Sequence, residues 1–199
     1  MEPAALSAHL PEEPNRFIGR ERELSDLRLA LYRTRALTLC GAGGIGKTRL
    51  ALRLLATVSG EFPDGICVVE LGDVWEPELI VSRMATLIGV AGEPGRPLLD
   101  TLAGALEERQ VAVLLDNCEH LVDACAGLCQ QLLTSCPGLR ILATSQEPLR
   151  IPQEAVWQVV PLDIPPAGQA PGARELASYE AVQLFADRAG AARPGFAVT

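Results

Sequence analysis

The sequence predicts an α/β domain, a parallel and five-stranded sheet flanked by helices, followed by the start of a helical domain. Three observations carry this. Apolar runs of five or six residues recur at 36–40 (ALTLC), 66–71 (ICVVEL), 111–115 (VAVLL) and 139–144 (LRILAT), short and predominantly apolar as strands buried on both faces are. The segments between them carry helical periodicity, which supplies the long crossovers that parallel strands require. The first run ends in a glycine-rich loop that opens directly into a helical pattern.

Residues 1–15 contain three prolines and no sustained apolar period, so they read as a leader without a core of its own. From Glu21, ERELSDLRLALYR sets Leu24, Leu27 and Leu31 on one helical stripe, with Leu29 less regularly placed. Strand 36–40 follows, then the glycine loop, then a helix resuming at Lys47 (KTRLALRLLATV). After strand 66–71 the pattern predicts helices over 77–90 and, past the loop AGEPGRP, over 98–109. Strand 111–115 leads to a helix from about Glu119 to Ser135, then to strand 139–144. A fifth strand is expected within 155–162 (AVWQVVPL). Proline, glycine and alanine mark 163–174 as a linker, and SYEAVQLFADRAGAA restarts a helix. The expected organisation is therefore a leader (1–15), one α/β domain (16–162), a linker (163–174) and the beginning of a helical domain (175–199).

Composition excludes some functions. With 17 Lys and Arg against 25 Asp and Glu, the net charge of −8 repels phosphate backbones, so direct nucleic acid binding by this segment is not expected. The N-terminus is acidic, and no apolar run reaches the roughly 18–20 residues of a membrane span, so the expected location is the cytoplasm. The six cysteines form no CxxC pair, and His9 and His120 are the only histidines. Cys118, Cys125, Cys129 and Cys136 follow helical spacing and read as small core residues, with a redox or ligand role as the alternative.

The chemistry concentrates in GAGGIGKT. Gly41, four intervening residues, then Gly46, Lys47 and Thr48 match the phosphate-binding loop, in the strand–loop–helix setting which that mechanism requires. Its glycines let backbone N–H groups turn inward around a β-phosphate, and the helix N-terminus adds partial positive charge. The expected nucleotide contacts are Gly41, Gly43, Gly44, Ile45, Gly46, Lys47, Thr48 and Arg49, with ADP or ATP as ligand. The bland alternative is a glycine-rich turn joining two elements. Thr48 offers a neutral hydroxyl to Mg²⁺, and Asp116, at the end of VAVLLD, offers the carboxylate that orients the metal; an Asp there could instead cap the next helix. Lys47, Asp116 and Glu119 are the candidate catalytic residues. Glu119 can act as a base toward water or serve as a first-turn helix acid. Thr144, Ser145, Gln146 and Arg150 end the next strand and are candidate γ-phosphate readers, or plain turn polarity.

Beyond the loop, the segments NRFIGRERELSDL, LTLCGAGGIGKTRLAL, VAVLLDNCEHL, CPGLRILATSQEPLRI and YEAVQLFADRA, in that order, resemble the STAND signalling ATPases. The likeness is to the NB-ARC domains and to the bacterial AfsR-like and LuxR-type large ATP-binding regulators, and it covers nearly the whole chain from Arg16. The resemblance implies that Phe17, Ile18, Gly19 and Arg20 cover the adenine, with main-chain groups near Ile18 reading its edge. It also implies downstream helical, winged-helix and repeat domains outside this chain, self-association on activation, and an output in transcriptional control. Two positions depart from the pattern: Asn117 stands where a second acid is usual, and Gln146 where an arginine commonly senses the γ-phosphate. The function expected is an ATP/ADP switch with slow Mg²⁺-dependent hydrolysis. The alternative is a nucleotide-binding or interaction module without turnover, and a small-molecule kinase lacks an acceptor signature.

Overall fold

A computed structural model of the chain describes residues 10–166, 172–193 and 195–196. The first nine residues of the expected leader, 167–171 of the expected linker, and 194 and 197–199 of the final segment lie outside the described residues. Packing divides the described residues into two units: residues 10–11 with 24–159, and residues 12–23 with those from 160 onward.

The larger unit is built on five strands, β1 (Ala36–Cys40), β2 (Ile66–Glu70), β3 (Ala112–Asp116), β4 (Arg140–Ser145) and β5 (Glu154–Gln158). They form one sheet in the order β2-β3-β4-β1-β5, and every neighbouring pair is parallel. The chain crosses between strands through α2 (Lys47–Val58), α3 (Glu78–Ile88), α4 (Leu98–Leu106) and α5 (Val122–Ser135), while α1 (Glu21–Arg33) precedes β1.

Strand alternation divides the core between two faces. Cys67, Val69, Val113, Leu115, Ile141 and Ala143 belong to one buried cluster with Ile80 and Met84 of α3, Leu102 and Leu106 of α4, and Leu128 and Leu132 of α5. The intervening Ala112, Leu114 and Leu142 are buried too, on the opposite face, and α2, which packs on β1, β3 and β4, buries Leu50, Leu54 and Leu55. Burial on both faces is what makes β1 and β3 read as continuous apolar runs. The outer strand β5 is half-exposed, with Val156 open to solvent.

Cys125 and Cys129 lie on the inner face of α5, with Cys118 before it and Cys136 closing it; all are buried free thiols within the core cluster. Leu29, the irregular member of the α1 stripe, is exposed, whereas Leu27 and Leu31 are buried. Helix α3 stops at Ile88, short of the expected 90, because Gly89 adopts φ 76° and its N–H closes the last turn on Ala85 and Thr86. The expected helix start near Glu119 is displaced to Val122. Asn117, at φ 68°, turns the chain sharply off β3 into a short 3₁₀ turn, Cys118–His120, before α5 begins. No helix among the described residues is long and apolar enough to cross a membrane.

The smaller unit joins residues 12–23 to the short helix α6 (Ala173–Leu176) and to α7 (Glu180–Ala192). Within it Glu180 Oε1 accepts the backbone N–H of Arg20 at 2.8 Å, and Arg188 Nη2 donates to the carbonyl of Arg16 at 3.1 Å.

Candidate functional site

The parallel register sets the C-terminal ends of four strands side by side. Cys40 of β1 pairs with Ser145 of β4, and Glu70 of β2 with Asp116 of β3. This is the sheet edge where open α/β folds bind ligands. The loop after β1 leaves the sheet under two backbone restraints: Gly41 N donates to Ser145 O at 3.3 Å, and Val159 N to Cys40 O at 2.8 Å. Gly44 and Gly46 take φ 75° and 97°, a region that costs a side-chain-bearing residue strain and costs glycine nothing comparable. Gly46 stands at the N-terminus of α2, so Lys47 and Thr48 form its first turn.

Lys47 is buried, and its Nζ donates to Gly41 O at 2.9 Å and Ala42 O at 3.2 Å. The ammonium is thus held by two carbonyls of the loop itself. One residue on, Thr48 Oγ1 donates to Asp116 Oδ1 at 2.7 Å. Two residues separated by 68 positions in sequence meet because α2 packs on β3. Asp116 is the last residue of β3, and the 3₁₀ turn, not α5, follows it, so its carboxylate serves the sheet edge and does not cap a helix.

Glu119 lies in that 3₁₀ turn, ahead of α5 rather than in its first turn. Gln146 Nε2 donates to its Oε1 at 3.2 Å, while its Oε2 is buried without a hydrogen-bond partner. Arg150 turns to Glu147, with Nη2 to Oε2 at 2.5 Å, and its backbone N–H bonds Glu154 Oε2 at 2.7 Å. Lys47, Thr48, Asp116, Glu119 and Gln146 all belong to the larger unit. Phe17, Ile18, Gly19 and Arg20 belong to the smaller one, where Gly19 and Arg20 both have positive φ and Arg20 Nη1 pairs with Glu23 at 2.7 Å.

One residue has a role that the sequence reading did not assign. Thr144, grouped there with γ-phosphate readers, donates to Asp116 Oδ1 at 2.6 Å and accepts the N–H of Asn117 at 2.9 Å. The available signal was a hydroxyl residue at the end of the strand beside the one that carries Asp116, but strand order is needed to see that the two adjoin.

No family model matches the chain. Among relatives, a Mycobacterium tuberculosis protein named as an HTH-type transcriptional regulator is 41% identical over 172 residues, covering 86% of this chain and 18% of its own length. Regulatory protein AfsR of Streptomyces griseus is 30% identical over 208 residues, covering 98% of this chain and 19% of that protein. The chain thus spans under a fifth of the length of these two relatives. Among solved structures, the Aeropyrum pernix ORC2 protein in its ADPNP–ADP complexes matches with a TM-score of 0.51 at 18% identity, over 79% of this chain and 52% of that one. At that identity the likeness is one of fold, a parallel sheet flanked by helices.

Proposed function

We propose that this chain, which is homologous to a segment of the AfsR-like transcriptional regulators and built on the P-loop ATPase fold, is the ATP/ADP-binding switch domain of a cytoplasmic STAND-type regulator. The observation that carries the reading is the convergence of Lys47, Thr48 and Asp116: an ammonium inside a glycine loop, and a hydroxyl 2.7 Å from a carboxylate at the same sheet edge.

The residues fit the ligand. The loop 41–48 would hold the β-phosphate with backbone N–H groups and Lys47. Thr48 and Asp116 are hard oxygen donors of the kind Mg²⁺ takes, and they would hold the ion at this sheet edge. Bound there, the metal would neutralise phosphate charge. The segment from Phe17 to Arg20 is proposed to cover the adenine. Glu119 is proposed as the group that takes a proton from an attacking water, with Gln146 holding one of its oxygens and leaving the other for that role. Domains outside this chain are proposed to carry DNA binding, as the name of the mycobacterial relative suggests for that protein.

A second reading, binding without turnover, is favoured by one observation. Gln146 is neutral and engaged with Glu119, so it supplies no cation to the γ-phosphate. Calorimetric titration with ADP and ATP, with and without Mg²⁺, together with phosphate release from the same sample, separates the two. Mg²⁺-enhanced binding with slow release supports the switch ATPase. Binding with no release supports the passive module, and no binding of either nucleotide overturns both.

A further inference from the structure

The structure assigns Thr144 a positioning role: its hydroxyl fixes the Asp116 carboxylate for Mg²⁺, an inference that rests on the nucleotide-binding reading above. Thr144 is almost wholly buried at the end of β4, where it pairs in register with Leu39 of β1. The β3–β4 ladder runs to Leu115 and Ala143, and the chain leaves β3 immediately afterwards through the left-handed Asn117. At that exit the Thr144 hydroxyl takes over from the ladder, accepting Asn117 N–H at 2.9 Å and donating to Asp116 Oδ1 at 2.6 Å.

The direction of both bonds is fixed by chemistry. A backbone N–H can only donate, so the hydroxyl accepts from Asn117 and its single proton is left to lie toward Asp116. The branched side chain restricts rotation about χ1, which keeps the hydroxyl aimed along this line. Asp116 Oδ1 therefore accepts two hydrogen bonds, one from Thr48 and one from Thr144. The two hydroxyls differ in kind. Thr48 belongs to the loop that contacts the ligand, whereas Thr144 sits behind the carboxylate and holds it from the protein side. It couples the backbone turn at Asn117 to the orientation of the acid before any ion arrives.

Outer-shell partners of this type typically contribute about 10- to 100-fold in metal affinity. The test uses the full chain and reads the apparent Mg²⁺ affinity of the ADP complex by calorimetry, with melting temperature as a check on folding. Thr144→Val keeps the shape and removes the hydroxyl. It should weaken Mg²⁺ by about 10- to 100-fold while ADP affinity in EDTA stays unchanged, and Thr144→Ser should restore the Mg²⁺ response. A folded Thr144→Val protein with undiminished Mg²⁺ affinity overturns the role, as does equal impairment of the Val and Ser variants, which would trace the effect to packing. Should the Val variant not fold, Thr144→Ala against Thr144→Ser decides on the same terms. Unaltered protein that binds ADP without any Mg²⁺ response overturns the underlying metal reading instead, so the two failures are distinguishable.

Discussion

Replacing Lys47 by Met removes the cation from the loop while keeping an unbranched side chain of similar reach. In the structure Nζ bonds two carbonyls, Gly41 O at 2.9 Å and Ala42 O at 3.2 Å, so a phosphate must displace these before the lysine contributes to binding. The contribution is therefore that of one charge-assisted hydrogen bond, about 1.5–3 kcal/mol, and not a bare ion pair. At about 1.4 kcal/mol per decade this predicts a loss of about 10- to 150-fold in ADP affinity. The fold should tolerate the change. Ala42 is exposed and its carbonyl can turn to water, which leaves chiefly the Gly41 carbonyl short of a partner, at about 1 kcal/mol and a melting shift of about 2–4 °C. Calorimetry with ADP and with AMP provides an internal control, because AMP lacks the β-phosphate and its affinity should be indifferent to position 47. An ADP affinity lowered by less than about threefold, or about 0.7 kcal/mol, in a variant that melts normally would refute the placement of the lysine at a phosphate.

Three further outcomes follow from the geometry. Asp116→Asn keeps the side-chain size but removes the charge that Thr48 and Thr144 converge on; ADP binding in EDTA should persist while the Mg²⁺-dependent increment is lost, and a persisting increment places the metal carboxylate elsewhere. Gly138→Ala should destabilise by about 1–3 kcal/mol through overpacking, because a Cβ there would stand 2.3 Å from the backbone oxygen of Arg109; urea unfolding checks this, and an unchanged midpoint argues against so close an approach. Burial pushes the Cys67 thiol from 9.0 to about 12. Between those values the unfolded chain loses the proton and the folded one keeps it, so stability should fall as pH rises from 9 toward 12. Thermal melts across this range should show a shallower decline for Cys67→Val, and parallel declines would remove the thiol as a cause.

The fold was legible because its signals are local. Strand β1, helix α1 and the start of α2 need only a few residues of pattern each, and the apolar runs of β3 and β4 announce two-faced burial wherever they sit in the sheet. The helix start near Glu119 was misplaced because periodicity alone does not reveal that Asn117 turns left-handed and inserts a 3₁₀ turn. In the site, the glycine loop is contiguous in sequence and could be read directly. The bond between Thr48 and Asp116 spans 68 positions and was inferable only from the chemistry that the loop demands. The engagement of Gln146 with Glu119 and of Arg150 with Glu147 depends on side-chain directions across two turns, which no spacing encodes.

On the proposed function, those directions bear on how far this domain alone can discriminate ATP from ADP. The two nucleotides differ only in the γ-phosphate, and beyond the Lys47 loop, Asp116 and Thr144, the Glu119–Gln146 pair is what the described residues bring to this sheet edge. A neutral amide that exchanges Glu119 for a phosphate oxygen trades one hydrogen bond to an anion for another, a difference on the order of 1 kcal/mol, or about fivefold. Moving a two-state equilibrium from 1:99 to 99:1 takes a differential of about 5.5 kcal/mol. The pair falls short of that by several kcal/mol, so a decisive switch needs further groups that meet the γ-phosphate in one state and not in the other. The regulators that this chain resembles are about five times its length, since it spans 18% of one and 19% of another. On the proposed function, the remaining differential is to be sought in those additional domains, and nucleotide exchange in this segment by itself should shift its conformation only modestly.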